Sequence, residues 1–336
     1  MKKIKLENKI VKTVAMILPL VLVIVFIEVI LRFVGPKYYK FGNASQEYYS
    51  NPRGYHIPIR QQDGQIIYGL HYQASVQGYR LPDDRSQAVI SEKSFQKSLL
   101  VLGDSFTFGR GVKYNDIYST KLFEMLRKNG YGYFVKNCGR VGADIWDIRE
   151  IYLHETASQK YPLVVYGFVL NDFGLSMSVS GSDFIDINNG GNRWMPIREV
   201  SKIVNLVMFC IEKYRLSQIT KQAYLDAFRG ERFREGTELL LEINQRIKSD
   251  GGVLVVVIFP LLYDFDNYPF KEIHEKMISV CTKANIPVLD LLPIYSRYHD
   301  SDLWANPTDQ HPNEIAHRIA AENLYNFLIA HKLVHR

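Results

Sequence analysis

Three residues of this chain have the types that acyl transfer needs: Ser105, His311 and, two positions before the histidine, Asp309. A serine hydroxyl is unreactive until a base takes its proton, and an imidazole does this near neutral pH. The imidazole in turn needs a carboxylate to orient it, which Asp309 can supply. Attack on a carbonyl leaves negative charge on oxygen, which must meet preorganised donors. The backbone N–H groups of Ser105 and Gly142 and the side-chain amide of Asn171 would provide three. The stretch Ser105-Phe-Thr-Phe-Gly-Arg-Gly111 also has hydroxyls and glycines suited to cradling a phosphate or a flavin. That second reading, a binding module, leaves Asn171 and the Asp309–His311 pair without a purpose.

These residues are useful only if the fold gathers them. Ser105 follows an apolar run, Leu99 to Leu102, that reads as a buried strand broken at Gly103. From Ser98 onward strand and helix patterns alternate. Strands are expected at Ser98–Leu102, Tyr133–Asn137, Leu163–Leu170, Val253–Phe259 and Ile286–Leu289, with helices at Asp116–Lys128, Asp144–Ser158, Lys271–Ala284 and Pro312–Ile329. Pro312 suits a first helical position. Such alternation predicts a doubly wound parallel sheet between two helical layers, with the carboxyl ends of its strands along one edge. Gly142 then follows the second strand and Asn171 the third. Residues 174–250 interrupt the rhythm and read as a helical insertion, with helices at Glu199–Tyr214 and Glu231–Ser249.

With these blocks in place, Gly103-Asp104-Ser105, Gly142, Asn171-Asp172 and Asp309…His311, the chain resembles the SGNH (GDSL-type) hydrolase superfamily over about residues 95–332. The resemblance implies a flavodoxin-like three-layer α/β/α fold with a parallel five-stranded sheet, and hydrolysis or transfer of ester-linked acyl groups without a cofactor or metal. It implies Ser105 as nucleophile, His311 as base, Asp309 as its orienter, and Ser105, Gly142 and Asn171 around the oxyanion. The sequence departs from the commoner pattern in placing the acid two residues before the histidine rather than three. A similar Asp-x-His-Pro-Asn form occurs in membrane-linked members that act on cell-envelope polysaccharides. That leans the substrate toward acyl groups on an envelope glycan or lipid. An O-acetyltransferase would use the same residues, with a multi-span membrane partner delivering the donor.

Charge narrows the partners. The chain carries a net charge of +6, all of it within residues 1–40, so the remaining body is neutral. A neutral body is no binder of nucleic acid. Val14 to Leu31 is apolar apart from Glu28, with Pro19 inside, and five lysines precede it. It is just long enough to cross a bilayer, and the lysine bias keeps the N-terminus in the cytoplasm. The organisation expected is a cytoplasmic tail at 1–12, a transmembrane anchor at 13–34, a spacer at 35–97 packing partly on the body, and a hydrolase-like domain at 98–332 outside the cytoplasm. The apolar run is long for a signal peptide. Tyr38, Tyr39, Tyr48 and Tyr49 suit the membrane interface.

Other notable residues read as structural. Asp104 and Asp172 suit holding turns. His154, His299 and His317 read as surface residues. Trp194 and Trp304 read as packing more than as a sugar platform, and Asp264–Asp266 as a solvated loop. Cys138, Cys210 and Cys281 have no metal-ligand spacing.

Overall fold

The computed structural model describes residues 2–33, 55–57, 61–62, 65–66, 70–75, 77–82, 92–173, 200–306 and 309–336. The expectations for Trp194, for the tyrosines at 38–49 and for much of the spacer lie outside these residues. The chain divides into two units, the smaller made of residues 1–42, 61–66 and 180–219. Its main element is helix α1 (Lys2–Phe33), whose stretch Ala15–Phe33 is long and apolar enough to cross a membrane.

The larger unit is built on a five-stranded parallel sheet: β1 (Lys97–Gly103), β2 (Tyr133–Asn137), β3 (Leu163–Val169), β4 (Val253–Phe259) and β5 (Val288–Asp290). Its spatial order is β5-β4-β3-β1-β2, every pair parallel. That is the flavodoxin-like order 2-1-3-4-5. All seven residues of β3 are buried, as in a strand covered on both faces. Side chains alternate across a strand. Leu100, Leu102, Val164, Tyr166 and Phe168 therefore join one core, and Leu99, Val101, Leu163, Val165 and Val169 the other.

The further helices include α2 (Ser105–Phe108), α3 (Tyr118–Lys128), α4 (Ile145–Thr156), α5 (Lys202–Ala227), α6 (Glu231–Ser249), α7 (Lys271–Lys283) and α8 (Glu314–Ala330). α4, α6 and α7 contribute to the first core, α3 and α8 to the second. Leu240, Ile243 and Ile247 of α6 are buried against the sheet. α6 is thus the regular crossover helix between β3 and β4, which shortens the expected 174–250 insertion by that helix. α8 starts later than the sequence suggests. Pro312 ends a strand, and Asn313 caps the helix by accepting hydrogen bonds from the Ile315 and Ala316 N–H groups, each at 3.0 Å. Residues before the first strand also join the body, since Tyr79 and Arg80 are buried. Arg80 donates to the carbonyls of Gly109 and Val112 at 3.3 and 3.2 Å, holding the loop behind α2.

Backbone closeness at the sheet edge is made by glycines. A Cβ on Gly139 would lie 2.4 Å from the Phe108 nitrogen and 2.6 Å from the Thr107 carbonyl carbon, whereas one on Gly132 meets nothing within 4 Å. Backbone cannot swing aside as a side chain can. Gly139→Ala should therefore lower stability by about 1–3 kcal/mol, the usual cost of overpacking, and Gly132→Ala should not. Thermal melting of the two full-length variants side by side checks this, and equal melting temperatures would contradict it.

Candidate active site

The order of the sheet reverses between β1 and β3, and the crevice at such a switch point is where doubly wound folds place ligands. Ser105 follows β1 and Asn171 follows β3. β1 leaves the sheet at Gly103, which pairs in register with Gly167 of β3. A Cβ on Gly103 or Gly167 would lie 2.1 or 2.6 Å from the Thr107 hydroxyl. Two bare positions thus admit Thr107, whose hydroxyl shares a 2.9 Å hydrogen bond with Tyr118. This lets α2 begin directly at the strand end. Asp104 caps it, accepting from the Phe106 N–H at 2.8 Å. Gly109 ends it in a left-handed conformation, φ 82°.

His311 comes from a different part of the chain. Strands β6 (Trp304–Asn306) and β7 (Asp309–Pro312) form an antiparallel pair with an irregular register. Extended backbone puts residues 309 and 311 on one side. His311 Nδ1 is hydrogen-bonded to Asp309 Oδ1, and the His311 N–H also donates to that oxygen at 2.9 Å. His311 Nε2 lies 3.0 Å from Ser105 Oγ. With Nδ1–H donating to Asp309, Nε2 is the acceptor for the serine hydroxyl. Burial works to raise the Asp309 pKa, but the His311 hydrogen bond and charge and the charge of Arg110 overcome it and hold the carboxyl well below the usual range. Ser105 is buried, while the His311 side chain is 20% exposed. The Phe106 ring covers the imidazole, centroids 5.5 Å apart.

Asp104 ties this chain to the third loop. Its Oδ2 lies 3.3 Å from Ser105 Oγ and accepts from the Asn171 amide at 3.2 Å. An amide nitrogen carries two protons, so Asn171 has a second donor beyond the one Asp104 takes. Gly142 lies in the adjoining loop after β2, in a left-handed turn (φ 76°) closed by the Ala143 N–H on the Arg140 carbonyl at 3.0 Å. Asn137 holds that loop against α2, donating to the Thr107 carbonyl and accepting from the Gly139 N–H, both at 2.8 Å.

Asp172 is fully buried and accepts from the Tyr166 hydroxyl at 2.8 Å and the Val169 N–H at 3.0 Å. Burial, reinforced by the charge of Asp104, pushes its carboxyl well above the usual range. Its Oδ1 has no hydrogen-bond partner among the described residues.

Two residues that matter to the geometry escape the sequence reading. Arg110 lies 3.8 Å from Asp309 Oδ2. Nothing in its spacing singles it out. Asn313 anchors the strand that carries His311. Besides capping α8, its N–H donates to the Leu303 carbonyl at 2.9 Å and its amide to the Asp302 carbonyl at 2.8 Å. A polar residue just before a helical pattern is a cap signal, so this role was open to inference.

The structure corrects one histidine. His317 is not at the surface but fully buried in α8, accepting from the Tyr118 N–H at 3.3 Å and stacked on the Tyr118 ring. Burial lowers its pKa to about 3, so it is a neutral core group. Trp304 packs on the core, its indole N–H on the Leu262 carbonyl at 2.7 Å. Asp300 accepts from the Asp264 N–H at 2.7 Å, away from His311. No cluster of three or more metal-ligating side chains occurs among the described residues.

No family model and no curated protein matches the sequence. Solved structures similar to the chain include TesA, at 15% identity over 69% of this chain and 98% of that one, with a TM-score of 0.47. Others are an acetyl xylan esterase, AlAXEase, at 16% identity over 68% and 98%, TM-score 0.44, and a lipolytic protein of the G-D-S-L family from Veillonella parvula, at 14% over 68% and 97%, TM-score 0.38.

The state of Asp172 has a measurable consequence. A carboxyl whose folded pKa exceeds its unfolded one holds a proton in the native state that the unfolded chain releases. Stability then falls as pH rises from the ordinary carboxyl range toward the folded pKa. Asn at 172 keeps the acceptor for Tyr166 and Val169 without that dependence. The melting temperature of Asp172→Asn should accordingly fall less between pH 4 and 8 than that of the parent chain. Parallel slopes would mean that Asp172 is ionised in the fold.

Proposed function

We propose that this protein is a serine-dependent acyl-ester hydrolase of the SGNH type. The observation that carries the proposal is the unbroken line of hydrogen bonds from Ser105 through His311 to Asp309. In this reading His311 Nε2 takes the Ser105 proton as Oγ attacks the ester carbonyl. Asp309 keeps the proton of Nδ1 in place and stabilises the imidazolium that forms. The new oxyanion meets the Ser105 and Gly142 N–H groups and the free amide proton of Asn171. His311 then gives its proton to the departing alcohol oxygen. Water, deprotonated by the same nitrogen, releases the acid and restores Ser105.

α1 acts in this proposal as an uncleaved anchor, with the lysine-rich end cytoplasmic and the catalytic unit outside. The substrate is an acyl ester on an envelope glycan or lipid, in line with the Asp-x-His-Pro-Asn block.

A fluorophosphonate probe tests the chemistry directly. Intact mass should show one adduct on the full chain and none on Ser105→Ala. Ester turnover should fall by several orders of magnitude in Ser105→Ala and in His311→Ala, and the double variant should be no slower, since residues acting as one unit are not additive. Asp309→Asn should lose on the order of 10⁴ in turnover through the wrong tautomer, and Asp302→Asn almost nothing. Additive losses, or an active Asp309→Asn, would reject this assignment.

The Asn171 role has its own signature. Asn171→Ala should lose roughly 10²–10³ in kcat, as for one oxyanion donor, with KM little changed. Unaltered kcat would return Asn171 to the status of a turn residue.

A further inference from the structure

The carboxylate inside the apolar helix has a complete set of partners, all in the smaller unit. Glu28 Oε1 accepts from Arg32 Nε at 3.1 Å and from the Lys202 N–H at 2.8 Å. Its Oε2 accepts from the Ser201 hydroxyl and the Ile203 N–H, both at 3.0 Å. A carboxylate has about four acceptor sites, so none is left over. Arg32 reaches across as well, donating to the Val200 carbonyl at 2.7 Å. Glu28 thus caps the first turn of α5 from another helix, and an anion is favoured at a helix start.

This clamp fixes a depth. Ala15–Phe33 covers about 28 Å at 1.5 Å per residue, close to the ~30 Å of a bilayer core. Glu28 lies about 7 Å short of the Phe33 end by the same rise. The first turn of α5 is held there with it. The helix then continues apolar: from Ile203 to Ile211 the sequence has one polar residue, Asn205, before Glu212 and Lys213. Val207 and Ile211 are 51% and 40% exposed, and Val200 before them 71%. Val207, Ile211 and Tyr214 fall at helical spacing on one face.

We propose that the first half of α5, residues 203–214, lies in the outer interface of the same bilayer that α1 crosses, with Glu28 as its clamp. The occupant of this exposed face is lipid, because the face begins at a point hydrogen-bonded inside the span and so continues the lipid-facing surface of α1. The segment is too short to cross, but suits lying in the headgroup and upper acyl region, where a helix buries its apolar side by about 5–10 Å. Tyr214, at its end, is a residue type favoured at that boundary. The proposal rests on α1 being a span.

The test uses the full chain in vesicles of phosphatidylethanolamine and phosphatidylglycerol. A nitrobenzoxadiazole probe is placed at Val207→Cys in a Cys210→Ser background, Cys138 and Cys281 being buried. Ile211→Cys serves as a second probe position. Emission should be blue-shifted, quenched by lipids carrying a nitroxide high on the acyl chain, and protected from iodide relative to a probe at Arg318→Cys. Glu28→Ala should raise iodide quenching at 207 several-fold while the chain stays in the membrane after carbonate washing. Equal iodide access at 207 and 318 would overturn the proposal. So would protection from iodide without nitroxide quenching, which would mean that a second copy or another protein covers the face. Unchanged quenching in Glu28→Ala would remove the clamp. Release of the parent chain by carbonate would instead show that α1 is no span, a separate failure that leaves the Ser105 chemistry standing.

Discussion

The hydrogen bond between Ser105 and His311 joins residues 206 positions apart. Closing a loop of that length costs on the order of 5 kcal/mol in chain entropy, and one hydrogen bond returns about 1 kcal/mol. The contact cannot hold itself together. It exists because the two cores on either side of the sheet have already fixed both ends. Ser105 is fixed by β1, and His311 by α8, which packs against α3 in the same core that buries Leu99 and Val101. Asn313 transmits that rigidity over two residues. Its hydrogen bonds to Leu303 and Asp302 pin β7 on one side while its side chain caps α8 on the other.

On the serine side the constraint is steric. α2 must start at the last residue of a central strand, which leaves no volume for side chains at the turn. Gly103, Gly139 and Gly167 all sit against Thr107 or its neighbours, and the Thr107 hydroxyl is used up by Tyr118. The loop that carries Ser105 is therefore packed on backbone rather than on movable side chains, so the position of Ser105 Oγ is set by the sheet itself. Preorganisation of this kind allows one weak polar contact to do chemistry.

Much of this is legible in the sequence, for physical reasons that can be named. Val253–Phe259 and Leu163–Val169 are short, almost wholly apolar runs, as strands covered on both faces are, and the structure has strands at both. The blocks around Ser105 and Asn171 stand at the ends of parallel strands, so the sheet gathers them whatever the loops do, whereas His311 is brought in by the antiparallel pair β6–β7. The failures are as instructive. α6 reads as part of an insertion because nothing in a helical pattern says which sheet face it covers, and that is decided by Leu240, Ile243 and Ile247 meeting the sheet. His317 reads as exposed because a histidine in an amphipathic helix usually is. Only the neighbourhood of Tyr118 shows why a neutral imidazole fits there. Pro312 reads as a first helical residue, and pairing with Trp304 of β6 instead makes it the end of a strand. Arg110 and the Glu28 clamp depend on long-range proximity, to which no local pattern points.

The site also sorts three carboxylates by surroundings alone. Asp309 is partly exposed and receives two hydrogen bonds from His311 with Arg110 nearby, so it is kept as an anion against the pull of burial. Asp104 is fully buried, which raises its pKa, yet each of its oxygens has a donor, the Phe106 N–H on Oδ1 and the Asn171 amide on Oδ2. Asp172 is equally buried, has two donors on one oxygen and none on the other, and feels the charge of Asp104. Two anions so close in a dry interior are disfavoured, and the carboxyl with the poorer donor set, Asp172, is pushed well above the usual range. The hydrogen bonds give the acid of Gly103-Asp104-Ser105 a holding role, capping α2 through the Phe106 N–H and fixing the Asn171 amide at the end of β3.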